Sequence, residues 1–117
     1  MDSLLGTLII YSRDMKKSAV FYATHFGFIT TGEVSEGLIA LRAPNTGAGI
    51  LIHQATRSVK PGQVGLKRVF HVKDVAAFVA EAAERGLKSG AIHEANGYSF
   101  ANAKDPDKKS VRVSSRA

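Results

Sequence analysis

"GTLIIYSRD" (Gly6 to Asp14) and "LKRVFHVKD" (Leu66 to Asp74) decide the fold, because they are two versions of one pattern. Each is an apolar-rich, strand-like run that closes on a basic residue followed by aspartate. A helical pattern comes next in both places. After Asp14, residues Met15, Ala19, Tyr22 and Phe26 fall on one face with Phe21 beside them; after Asp74, residues Val75, Phe78, Val79 and Ala82 do the same. Aspartate at the N-cap satisfies backbone N–H groups that the first turn leaves open, so Asp14 and Asp74 read as helix starts. Gly27 and Gly86 suit the left-handed position that ends a helix, and Glu81 with Arg85 adds an i,i+4 ion pair to the second one.

The segments after each glycine are short and β-like. The first half offers "FITTGEV", "LIALRA" and "GILIHQAT", and the second offers "LKSGAIHE", "YSFANAK" and "SVRVSSR". The unit is therefore βαβββ, written twice, with Asp74 standing 60 residues after Asp14 in a chain of 117. "TRSVKPGQVG" (Thr56 to Gly65) carries Pro, two glycines and little hydrophobicity, which marks a linker. The expected organisation is one α+β domain over 1–117, with a first module over about 1–55, a linker over 56–64 and a second module over about 65–117.

Composition sets outer limits. With 44% apolar and 22% charged residues the chain has the balance of a globular protein, and no run approaches the length needed to span a bilayer. "MDSLLGTLII" has an acid where a signal peptide would have basic residues, so the expected location is cytoplasmic and no membrane partner is expected. The absence of cysteine excludes disulfides, thiolate metal sites and cysteine nucleophiles. A net charge of +6 and a pI of about 9.8 favour an anionic partner. The basic residues are scattered without interleaved aromatics, which argues for a small anionic or polar molecule rather than nucleic acid.

One cation stands out. In "KDPDKKSVRV" (Lys104 to Val113), Asp105-Pro106-Asp107 reads as a turn, and an alternating strand comes after it. Val111 and Val113 point to one side of that strand, and Ser110, Arg112 and Ser114 to the other.

The order and spacing of these motifs resemble the vicinal oxygen chelate superfamily, the group of glyoxalases, bleomycin-resistance proteins and extradiol dioxygenases. "DMKKSAVFYATHFGF" is similar to its first-helix signature at Asp14, Ser18, Phe21, Tyr22, Gly27 and Phe28. "VKDVAAFVAEAAERG" resembles the second-module helix, and "GYSFANAKDPDKKSVRV" the last hairpin, with Lys108 where the family's DPDG turn has glycine. The resemblance covers essentially the whole chain. It implies two βαβββ modules forming a curved mixed sheet around a cavity, a homodimer, and, in catalytic members, a divalent metal held by His and Glu from the first and last strands of each module.

The corresponding positions carry different chemistry. The first-strand histidine falls at Thr7 and its second-module counterpart at Lys67; the carboxylates fall at or next to His53 and at Arg112. An ammonium and a guanidinium would repel a divalent cation, and Arg does not shed its proton. No metal and no other cofactor is therefore expected. Strand alternation puts Tyr11 on the side of Thr7, and His71 on the side of Lys67. The expected ligand-binding set is Thr7, Tyr11, His53, Lys67, His71 and Arg112. Arg112 would grip a carboxylate or phosphate through two parallel bonds, Lys67 would add a point charge, and Tyr11 and His71 would orient the ligand.

Three functions compete. The first is a metal-free protein that binds an anionic or polar small molecule; bleomycin, a cationic drug, fits such a basic pocket poorly. The second is an enzyme of the lyase, isomerase or dioxygenase type, with metal on a non-standard set such as His53, His71 and Tyr11, or with His53 or His71 as a metal-free acid–base. The third is a non-catalytic partner subunit or nucleic-acid binder. The chain is read as leaning away from catalysis, with no catalytic residue assigned.

Overall fold

Leu8, Ile10 and Ser12 of strand β1 (Thr7–Ser12) alternate in burial with Thr7, Ile9 and Tyr11, so the first strand has one covered and one open face. The computed structural model describes residues 5–56 and 67–116, and the chain divides into two compact units, residues 1–60 and 61–117. Most of the expected linker lies outside the described residues.

In the first unit β1 leads to helix α1 (Met15–Phe26) and strands β2 (Leu38–Leu41) and β3 (Gly49–Gln54), in the sheet order β1-β3-β2. The first and last strands pair in parallel, and β2 runs antiparallel to β3. The helix starts where expected: the Lys17 N–H donates to Asp14 Oδ1 at 3.0 Å. It stops at Gly27, whose φ of 73° places it in the left-handed region, while the Gly27 and Phe28 N–H groups donate back to the Ala23 and Tyr22 carbonyls. Met15, Ala19 and Tyr22 are buried together with Ile10, Ile39, Leu41, Ile50 and Ile52. Each large apolar side chain buried in this way contributes about 1.5–3 kcal/mol as an upper estimate. Ser18 sits on the same buried helix face, and its hydroxyl lies 2.7 Å from that of Ser12.

The second unit repeats the plan with β4 (Arg68–His71), α2 (Val75–Glu84), β5 (His93–Ala95), β6 (Tyr98–Lys104) and β7 (Ser110–Ser114), in the order β4-β7-β6-β5. Again the first and last strands are parallel and the others antiparallel. Asp74 caps α2 through the Ala77 N–H at 3.0 Å. Arg85 closes the helix and Gly86, at φ 97°, turns the chain away.

The two halves are not identical. The first-module strand expected over "FITTGEV" is reduced to a single bridge between Ile29 and Arg42. The Thr30 and Thr31 hydroxyls accept from the Gly32 and Glu33 N–H groups, and Gly32 adopts φ 75°. These local bonds compete with a ladder and redirect the backbone after one pair. The first module is therefore βαββ with an isolated bridge, and the second is βαβββ.

The Asp105-Pro106-Asp107 turn joins β6 to β7. Asp105 is 5% exposed, and its Oδ1 accepts from the Asp107 N–H at 2.9 Å and the Lys109 N–H at 2.8 Å. Its Oδ2 lies 3.5 Å from Nη2 of the buried Arg68, which also donates to the Ser110 carbonyl at 3.3 Å. Lys108, in place of the family's glycine, takes φ 63°. This arrangement sets the register of the hairpin that carries Arg112.

Candidate functional site

Register decides which side chains share a face. On the first sheet Tyr11 pairs with His53, Ile9 with Leu51, and Thr7 with Gly49. The Tyr11 and His53 rings stack with centroids 5.5 Å apart. Tyr11 and Ile9 remain 46% and 55% exposed, so this face is uncovered within its own unit. Thr7, Tyr11 and His53 are thus brought to one face, but Thr7 stands four residues from Tyr11 along the strand, about 13 Å at ~3.3 Å per residue.

On the second sheet Val69 pairs with Arg112 and His71 with Ser114, and across the hairpin Arg112 pairs with Asn102 and Ser110 with Lys104. Arg112 and His71 therefore share a face, Lys67 stands just before β4, and both Lys67 and His71 are exposed. The Arg112 Nε–H donates to Asn102 Oδ1 at 2.9 Å, and its guanidinium lies 4.2 Å from the centre of the Phe100 ring. Phe100 in turn meets the His93 ring at 5.1 Å and the Tyr98 ring at 6.2 Å. The strand residues of this face include Arg112 and Lys104 but no carboxylate, because Glu94 pairs with Ser99 on the opposite face and bonds its hydroxyl there. A half-buried guanidinium, fixed through Nε and its ring face, keeps its outer N–H groups directed away from those two partners.

The repeat also bears on the position read at or next to His53. Thr7 and Lys67 are 60 residues apart, so Ile9 is the counterpart of Val69. Val69 pairs with Arg112 and Ile9 pairs with Leu51, which makes Leu51 the first-module equivalent of Arg112. His53, two residues further, belongs to the Tyr11 row. The corresponding positions are then Thr7 and Leu51 in the first unit, a hydroxyl and an aliphatic group, and Lys67 and Arg112 in the second, two cations. Neither pair supplies the imidazole or carboxylate donors that a divalent metal of this kind takes. Among the described residues no three His, Asp or Glu side chains gather into a group that could hold a metal ion.

Phe100, Asn102 and His93 are parts of this face that motif spacing does not single out. A signal for two of them exists in "YSFANAK", where Phe100, Asn102 and Lys104 alternate. Folding that strand back across the Asp-Pro-Asp turn puts Asn102 opposite Arg112. His25 belongs to no such face; it lies in the last turn of α1 with its ring 5.1 Å from that of Phe21.

A family model described as Glyoxalase/Bleomycin resistance protein/Dioxygenase superfamily matches residues 4–112. No curated protein matches the chain. Among solved structures, the chain resembles TnmS3, an antibiotic binding protein from Streptomyces sp. CB03234, at 18% identity and a TM-score of 0.79, covering 96% of this chain and 94% of that one. It also resembles a bleomycin resistance determinant encoded on the transposon Tn5, at 20% identity, TM-score 0.71 and coverage of 97% and 96%. A lactoylglutathione lyase from Agrobacterium tumefaciens matches at 15% identity, TM-score 0.75 and coverage of 97% and 94%. At these identities the likeness concerns the fold, and relatives of both binding and catalytic description share it.

Proposed function

The chain belongs to the Glyoxalase/Bleomycin resistance protein/Dioxygenase superfamily, and from that premise we propose that it is a metal-free, homodimeric protein that binds a small anionic or polar molecule. The observation that carries this reading is Arg112. It stands where catalytic relatives keep a metal-binding carboxylate, it is held by Phe100 and Asn102, and the strand residues around it bring no carboxylate to neutralise it. A guanidinium so held presents a planar fork of donors that suits a carboxylate or other oxyanion. Phe100, Tyr98 and His93 supply ring surface for a partly aromatic ligand. Lys67 adds a second charge beside β4.

The likeness to an antibiotic binding protein and to a bleomycin resistance determinant supports small-molecule binding as a role this fold can serve. A cationic ligand is disfavoured by the same charges that attract an anion.

The test is calorimetric titration of the protein with small aromatic carboxylates, benzoate first, alongside elemental analysis of protein purified without chelator. Binding should weaken at least tenfold in Arg112→Glu, because a charge-assisted pair is replaced by repulsion. Unchanged binding in that variant would overturn the assignment of Arg112. Stoichiometric zinc, iron, manganese or nickel would overturn the metal-free reading and favour an enzyme.

A further inference from the structure

At one end of the second sheet, an open groove of about 470 Å³ is lined by Lys67, Lys88 and Lys104 together with Ser89, Gly90 and Ser110. We infer that this groove is a binding site for a doubly charged tetrahedral oxyanion, a phosphate or phosphate monoester. The inference rests on the reading of the chain as an anion-binding protein, but it is carried by residues other than Arg112.

Three observations point to a phosphate. The first is charge: three lysines line one concavity, and no Asp or Glu is among the described residues that line it. Like charges around a concave surface repel one another, and a dianion entering the groove removes that penalty while making several favourable pairs. The second is preorganisation. Lys104 Nζ donates to the Ser110 hydroxyl at 2.8 Å, which restrains one ammonium at the wall. The Gly90 N–H donates to the Asn102 carbonyl at 2.8 Å and ties the segment after α2 to β6, so Lys88 and Ser89 are held beside the groove by a backbone bond.

The third is the kind of donor. Lysine is a compact point charge without the flat fork of arginine, so three lysines and two hydroxyls suit the several oxygens of a tetrahedral anion better than one planar carboxylate. The volume lies within the range of small-molecule sites and leaves space for a substituent on the phosphate. Asn102 also lines the groove while its side chain holds Arg112, so a substituent leaving the groove along β6 would meet the Arg112 and Phe100 face of the same sheet.

The experiment titrates inorganic phosphate and phenyl phosphate into the full-length protein, by calorimetry and by amide chemical shifts, with benzoate as the separate probe of Arg112. The Ser89 and Gly90 amides are expected to shift with saturation. Lys88→Gln and Lys104→Gln are each expected to weaken phosphate binding about tenfold, the loss of one charge-assisted hydrogen bond. Lys88→Gln should leave benzoate affinity unaltered. Equal affinity for the two phosphates identifies a site for the free anion, and tighter phenyl phosphate identifies a phosphorylated small molecule; either supports the groove. Absence of shifts at Ser89 and Gly90, or phosphate affinity unchanged in both lysine variants, overturns it. Phosphate binding that survives with no benzoate binding removes the Arg112 reading and leaves the groove standing.

Discussion

Asp105 holds the hairpin together. Its carboxylate accepts two backbone N–H groups of its own turn and faces the buried guanidinium of Arg68, so it works as an internal template for the β6–β7 connection. Asp105→Ala leaves those N–H groups and a 9% exposed arginine without this acceptor, and is expected to lower unfolding stability by about 3 kcal/mol in chemical denaturation. Asp105→Asn keeps an acceptor oxygen and should cost less; equal losses would mean that the charge of Asp105, and not its acceptor oxygen, carries the contribution. Lys108 tells the opposite story. Its φ of 63° is in a region that disfavours a side chain by roughly 1–2 kcal/mol, partly offset by the ~0.5–1 kcal/mol that glycine loses in entropy. Lys108→Gly is therefore expected to stabilise the protein by about 0.5 kcal/mol, and a lower denaturation midpoint would contradict this account.

At the scale of elements, the helices obey local rules closely. Both N-caps are aspartates whose side chains accept from the third helical residue, and replacing Asp14 or Asp74 by Ala should each cost about 1 kcal/mol. Gly27→Ala is expected to cost a similar ~1 kcal/mol through its backbone alone. A Cβ there would meet Pro44 Cγ at 3.7 Å, an ordinary contact, so a loss well above that figure would point to packing rather than φ. Strands depend on less local rules. "FITTGEV" has a strand's composition, yet threonine hydroxyls and a glycine at positive φ end its pairing after the Ile29–Arg42 bridge. Nothing in its residue types outweighs that competition in advance, because strand pairing depends on a partner elsewhere in the chain.

For the whole molecule, the proposed homodimer predicts a sedimentation-equilibrium mass of twice the 12.5 kDa chain, and a single-chain mass at micromolar concentration would remove it. The repeated plan is written in local sequence. Apolar strand, aspartate cap, amphipathic helix and glycine stop are encoded by neighbours within a few residues, so they read the same before and after folding. The sequence also reveals that cations stand at Lys67 and Arg112, since motif spacing alone locates them. Which side chains those cations meet follows only from strand pairing. Strand register, set partly by the buried Asp105 turn, placed Asn102 and Phe100 against Arg112, set His53 in the row of Tyr11 and paired Leu51 with Ile9, as Arg112 pairs with Val69. The physical reason is the two-residue period of a strand: it tells which residues share a face, but only hydrogen bonding to another strand fixes how far along that face each one lies.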